Sequence, residues 1–327
     1  MATEDTGMLT TRDRSSVIHA RQQANESPEP SNSARRGKHR RSENANGGGN
    51  TIPEDCLQFG ILGPLELYSA DIVMPLGTPK QRAVLAMLVI HRNRTVGVDR
   101  LINAAWEKRP PERARATLHT YVSNLRRLID TCLCIDARAV LSSAPPGYRL
   151  SVADNDCDLG RFTVERSNGF RAATLGRFEQ ASGHFSVALA QWRGPILEDL
   201  PEFTFFDDFA TRLEEDKLLT QIAYAATEIA CGRPYSAINE LEELATEHPY
   251  HEPLWVPLIT AYYVAERQFD ALNACRQLTR SLAEDLGVAP GPTIRALQEQ
   301  ILRQEPPNVT EAAQLHAHRT IAALQKL

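Results

Sequence analysis

The densest set of side chains able to act on another molecule lies between Arg113 and Ile129. Thr117, Thr120, Asn124 and Arg127 recur at intervals of three and four, so a helix of 3.6 residues per turn gathers them into one stripe. Leu118, Val122, Leu125 and Ile129 form a second stripe, roughly 150° away, which must pack inward. Arg113, Arg115, Ser123 and Arg126 fall between the two. Short polar side chains of this kind read donors and acceptors on base edges, and flanking Arg and Ser hold phosphates. The chemistry implied is recognition of double-stranded nucleic acid. An ordinary surface helix with basic flanks shares the pattern, so the surrounding segments must decide between the two.

Catalytic signatures are missing from the sequence. It holds no G-x-x-x-x-G-K-[ST], G-x-G-x-x-G, H-E-x-x-H or G-x-S-x-G. Cys132 and Cys134 have the wrong spacing for a zinc knuckle, and no second Cys or His pair completes a site. His248 and His251 flank Pro249 at a helix junction and read as a turn. The acidic run from Glu198 to Asp216 is interrupted by Phe203, Phe205, Phe206 and Phe209, and reads as a connection that packs its aromatics inward. No enzyme activity, cofactor or metal is expected. Six Cys, at 56, 132, 134, 157, 231 and 275, are too few and too scattered for a disulfide framework. No apolar run approaches the roughly 20 residues of a membrane span and no signal core opens the chain, so a cytoplasmic location is expected.

Several elements must position the polar stripe. Residues 57–76 alternate apolar and polar around Gly63-Pro64 and Ser69-Ala70-Asp71, as short antiparallel strands do. Thr78-Pro79 opens a helix over 80–91. Val98, Leu101, Ile102, Ala105 and Trp106 repeat at helical spacing, and Pro110-Pro111 stops that second helix. The third helix, Glu112 to Ile129, carries the stripe, and a hairpin over 140–150 follows. From Leu159 to Leu302 the periodicity is helical throughout. Ala237, Leu241, Leu244 and Pro249, then Trp255, Leu258, Tyr262 and Ala271, repeat with a period of 34 residues between Ala237 and Ala271. This is the tetratricopeptide pattern of stacked helix pairs, with Cys275 standing where an aromatic is usual.

The charge divides along the same line. Residues 57–150 hold 13 Lys/Arg against 7 Asp/Glu, a net +6, and residues 151–305 hold 13 against 25, a net −12. Only the first half is suited to a polyanion. Residues 1–55, rich in Ser, Asn, Gly and Arg, read as a disordered extension. It contains Arg35-Arg36-Gly37-Lys38-His39-Arg40-Arg41, either a basic arm for phosphates or a solvated charge run. A helical-repeat scaffold without DNA binding is the competing reading, favoured by the overall acidity.

Trp106, Pro110-Pro111, Leu118-x-x-Tyr121-Val122-Ser123-x-Leu125-Arg126-Arg127-Leu128 and Pro145-Pro146-Gly147-Tyr148-Arg149-Leu150 together resemble the Streptomyces antibiotic regulatory protein family. Asp158-Leu159-x-Arg161-Phe162, Trp192-Arg193-Gly194, Arg212-Leu213-Glu214-Glu215, Glu247-His248-Pro249 and Glu284-Asp285-Leu286-Gly287-Val288-x-Pro290-Gly291-Pro292 resemble its bacterial transcriptional activator domain. The matches span residues 57–303 in order.

The resemblance implies a mainly α fold with a little β. An OmpR-like winged helix-turn-helix at 56–152 precedes an all-α, tetratricopeptide-like domain at 153–305, with a helix-prone tail at 306–327. It implies a DNA-binding activator that occupies direct repeats beside a promoter and recruits RNA polymerase, with a homodimer on the DNA as a further expected partner. Carried over by position, Thr117, Thr120 and Asn124 face bases. Tyr121, Ser123 and Arg126 face phosphates, with Arg115 and Arg127 expected to join them from the helix pattern itself; Ser142, Ser143, Tyr148 and Arg149 belong to the wing, and Lys108, Arg109 and Glu112 belong to the turn that touches polymerase. Two departures stand out: relatives usually carry Arg where Asn124 stands, and commonly Arg where Ala144 stands. Asn prefers adenine where Arg prefers guanine.

Overall fold

The computed structural model describes residues 57–69, 72–107, 109–131, 136–304 and 309–325. The N-terminal extension with its basic arm, the Ala70-Asp71 turn, Lys108, and the Cys132/Cys134 pair lie outside these residues.

Strands β1 (Gln58–Gly60), β2 (Glu66–Ser69) and β3 (Ile72–Val73) form an antiparallel sheet in the order β1-β2-β3. Helix α1 (Pro79–Ile90) begins with proline at its first position, where the missing N–H costs nothing, and Thr78 as its N-cap. A three-residue strand, β4 (Thr95–Gly97), leads directly into α2 (Val98–Trp106). Helix α3 (Ala114–Asp130) follows, then a single helical turn, α4 (Ala137–Val140), and the hairpin of β5 (Leu141–Ala144) and β6 (Gly147–Leu150). This hairpin is not a two-stranded unit, as the sequence suggested. β6 pairs on its other side with β4, with Val96 opposite Tyr148. β4 was missed because three residues are too few to show an alternation. A Cβ on Gly147 would overlap the Val96 carbonyl oxygen, so the hairpin can meet β4 this closely only with glycine there.

The rest of the described chain is helical: α5 (Asp158–Thr174), α6 (Phe178–Leu189), α7 (Asp207–Ala230), α8 (Pro234–Glu247), α9 (Glu252–Val264), α10 (Gln268–Ser281), α11 (Pro292–Leu302) and α12 (Val309–Leu324). Helix α9 is buried from Leu254 to Tyr262 without interruption and packs against α8, α10, α11 and α12. A helix apolar on every side has to be enclosed in this way. Ala237 and Ala271, the residues one repeat apart, are both buried where helix pairs meet, and Cys275 fills its aromatic's place in the core. α12 lies against α5, α7 and α9.

Two cores result. One gathers α8–α12 with parts of α5, α6 and α7. The other joins the sheets and α1–α3 to the first turns of α5 and to residues 196–213, so the basic half and the acidic half share buried side chains. Phe203 and Phe206 are buried there and Phe205 and Phe209 are half-buried against them, as the acidic run with its interleaved aromatics predicted.

Candidate nucleic-acid interface

Leu118, Val122, Leu125 and Ile129, with Ala114, bury the inner face of α3. The opposite ridge consists of Arg113, Ala116, Thr120, Ser123 and Arg127, all exposed. The polar residues predicted from spacing are therefore split three ways. Thr120, Ser123 and Arg127 crown the helix; Thr117 and Asn124 stand half-buried on the flank toward α1; Arg126 stands half-buried on the flank toward the hairpin.

On the crown, the Thr120 hydroxyl donates to the Ala116 carbonyl at 3.1 Å, and on the α1 flank the Thr117 hydroxyl donates to that of Arg113 at 3.2 Å. Each spends its proton inside the helix and offers lone pairs outward, which suits it to accept from a base amino group. Asn124 is less free than its place in the stripe suggested. Its Nδ2 donates to Gln81 Oε1 at 3.2 Å, and the buried Gln81 donates from Nε2 to the Leu76 carbonyl at 2.9 Å. That chain fixes the Asn124 amide with Oδ1 and its second N–H unspent. One donor beside one acceptor is the pair that adenine presents.

One phosphate-facing residue, Arg126, and one wing residue, Tyr148, need correction. Arg126 donates from Nε to the Leu141 carbonyl at 2.8 Å and from Nη2 to Ser143 Oγ at 3.0 Å, and its guanidinium lies 5.6 Å over the Tyr148 ring. It braces the hairpin. Tyr148 is buried and its hydroxyl bonds His119 Nδ1, so it is a strut of the wing and not part of its surface. Of the other wing residues, Ser143 and Arg149 are exposed, and Ser142 is half-buried with its hydroxyl donating to the Arg149 carbonyl at 3.4 Å. Tyr121 is half-buried and stacks on Trp106 with ring centres 5.8 Å apart. Arg115 is exposed and pairs with Asp99 at 2.8 Å.

Sequence reasoning missed Gln81, His119 and Lys80. Lys80 is exposed at the start of α1, with Nζ 5.6 Å from the centre of the Trp106 ring. Thr78-Pro79 marks this helix start in the sequence, but nothing there says that it lies beside the middle of α3.

The turn between α2 and α3 leaves Arg109 and Glu112 exposed. Glu107, at φ 50°, accepts from both the backbone N–H and the hydroxyl of Thr204 at 3.0 Å, which ties the turn to the acidic half. A deeper weld lies nearby. Asp158, 3% exposed, accepts from the N–H groups of Ile61 and Leu62 at 2.8 Å each and from Arg193 Nη2 at 3.1 Å. Burial holds its carboxyl above the usual range even though the N–H groups of Leu62, Ile61 and Leu159 pull it down. Arg193 also pairs with Glu66. Asp199 receives the Leu65 N–H at 2.7 Å and Arg82 at 2.9 Å.

A family profile for the bacterial transcriptional activator domain matches residues 157–302, and one described as "Transcriptional regulatory protein, C terminal" matches residues 75–150. The transcriptional regulatory protein EmbR of Mycobacterium tuberculosis (strain ATCC 25618 / H37Rv) is 57% identical over 278 residues, 85% of this chain and 71% of that protein. The regulatory protein DnrI of Streptomyces peucetius is 33% identical over 255 residues, 76% of this chain and 93% of that protein. This chain belongs to the Streptomyces antibiotic regulatory protein family. A solved structure, Mycobacterium tuberculosis EmbR in complex with a low affinity phosphopeptide, superposes with a TM-score of 0.76 at 58% identity over 82% of this chain and 71% of that one. The protein is thus a DNA-binding transcriptional activator in which an OmpR-like winged helix precedes a helical activator domain. Among the described residues, no helix is long and apolar enough to cross a membrane.

Proposed function

We propose that the family member binds direct repeats beside a promoter with α3 in the major groove. Thr117, Thr120 and Asn124 read base edges, and Ser123, Arg127 and Arg115 hold phosphates. The wing of Ser143 and Arg149 reaches the adjacent backbone, and two copies sit together on the DNA as a homodimer. The turn carrying Lys108, Arg109 and Glu112 recruits RNA polymerase. The protein works in the cytoplasm and is a regulator without catalytic chemistry.

One observation carries this reading: the crown of α3 is exposed and polar, while the groups beside it are already braced by α1 and the hairpin. A side chain held by packing and second contacts loses little entropy on binding, which is what base readout needs. The acidity of the helical half suits it to face away from DNA and leaves binding to the +6 segment.

Selection of bound duplexes from a random pool by the full chain, followed by footprinting, tests the DNA half. Two repeated half-sites of one orientation are expected; a single half-site or an inverted pair overturns the direct-repeat arrangement. The polymerase half is tested by a double variant, Arg109→Ala with Glu112→Ala. Operator affinity should be unchanged while transcription from a purified polymerase falls, and unchanged transcription refutes that contact.

A further inference from the structure

The family match ends at residue 302, and α12 lies beyond it. Between α12, α11 and the start of α9 is a half-enclosed cavity of about 600 Å³. That is the size of a small-molecule site. Pro253, Val256, Ile294 and Leu297 give it an apolar floor. Two polar residues of α12 also line it, His316 at 8% exposure and Thr320 at 6%. The imidazole Nδ1 is enclosed and without a hydrogen-bond partner. Buried polar groups are almost always paired, and each exception calls for a reason. At the rim, exposed Arg319 faces the same space. Glu252, also at the rim, is engaged by the Gly291 N–H at 2.7 Å.

We propose that this cavity is a binding site for a small amphipathic organic acid, its apolar body lying on α9 and α11, its anionic group on Arg319, and a polar atom against His316 and Thr320. A larger cleft, between α5, α7 and the end of α12, is a weaker candidate because its Arg166 is already paired with Asp216 at 2.8 Å. Burial, aided by Arg319, holds the His316 imidazole below its usual value, so at neutral pH it is uncharged and able to donate from one nitrogen and accept at the other. The site needs no DNA and is independent of how α3 reads bases.

Two fluorescent probes test it on the full chain. 8-Anilinonaphthalene-1-sulfonate carries an apolar body and one anion, and N-phenyl-1-naphthylamine carries the same body without the anion. Both should bind at one saturable site. Ala323→Trp, at an exposed position on the cavity wall, should weaken both by about tenfold or more, which is about 1.4 kcal/mol. Arg319→Gln should weaken the sulfonate about threefold and leave the neutral probe within twofold. Arg319 lies on the solvent side of α12, so its removal leaves the fold intact and keeps this arm decisive if the tryptophan variant loses its helical circular dichroism. Absence of saturable binding up to about millimolar probe, or affinities for both probes that neither variant moves, overturns the proposal.

Discussion

The crown of α3 and the weld around Asp158 are both rich in polar groups, yet they spend them in opposite ways. At the weld, Asp158, Arg193 and Asp199 are engaged by backbone N–H groups, a carbonyl and arginine partners, and both terminal nitrogens of Arg82 are held by Asp199. At the crown, Ser123 and Arg127 are exposed and Thr120 commits only its proton. A group already paired inside the chain has little to offer a partner, whereas an unpaired one is stable only in water or on a ligand. Both sites are polar; pairing and burial assign one to cohesion, and exposure assigns the other to recognition.

Breaking the weld should have the largest effect. Asp158→Ala strands the backbone N–H groups of Ile61, Leu62 and Leu159 and leaves Arg193 with Glu66 and the Pro64 carbonyl, so unfolding free energy should fall by about 3 kcal/mol. Chemical denaturation would measure this, and a loss under about 1 kcal/mol would show that the weld is not cohesive. Next in size is base discrimination. Asn124→Ala should cost about 1–3 kcal/mol at one base position. Gln81→Leu, which removes the group that aims Asn124, should relax the same position and no other. Selected-site logos would read both, and an unchanged logo for Gln81→Leu would mean that the Asn124 amide orients itself.

The two neighbouring arginines sharpen the contrast further. Arg127→Ala, on the crown, should weaken binding to all sequences and lower the salt slope by about one. Arg126→Ala should instead loosen the hairpin, with a salt slope changed by less than that of Arg127→Ala. Equal slopes for the two variants would return Arg126 to the phosphate contacts. The smallest effect expected is with pH. Burial is the main cause that holds His91, His251 and His316 below the ordinary 6.5. The unfolded chain therefore takes up protons first as pH falls through 6.5, and stability should decline from there toward the lower folded values. The denaturation midpoint should be lower at about pH 5.5 than at about pH 7.5, since this window lies below the unperturbed histidine value; an equal midpoint would show that these imidazoles titrate freely.

Periodicity alone made much of this architecture legible. The inward stripe Leu118, Val122, Leu125 and Ile129 is the buried face of α3, and the repeat linking Ala237 to Ala271 is a repeat of buried helix contacts. The polar stripe was legible as a set but not as a geometry. Spacing assigns a side chain an angle on its own helix and says nothing of what stands across from it. The Tyr148 hydroxyl, read as part of the wing, turned inward because His119 lies 29 residues earlier in sequence but within hydrogen-bond reach.

The order of amphipathic segments, the split of charge between the halves and the residue types on α3 all follow from local spacing and composition, so the sequence by itself determined them. Which of those residues are free to touch DNA was decided only in three dimensions. Gln81 reaches Asn124 across 43 positions, and Asp158 reaches Ile61 across 97. The reason is physical: a hydrogen bond depends on distance and direction in space, and the folded backbone sets both without regard to separation along the chain.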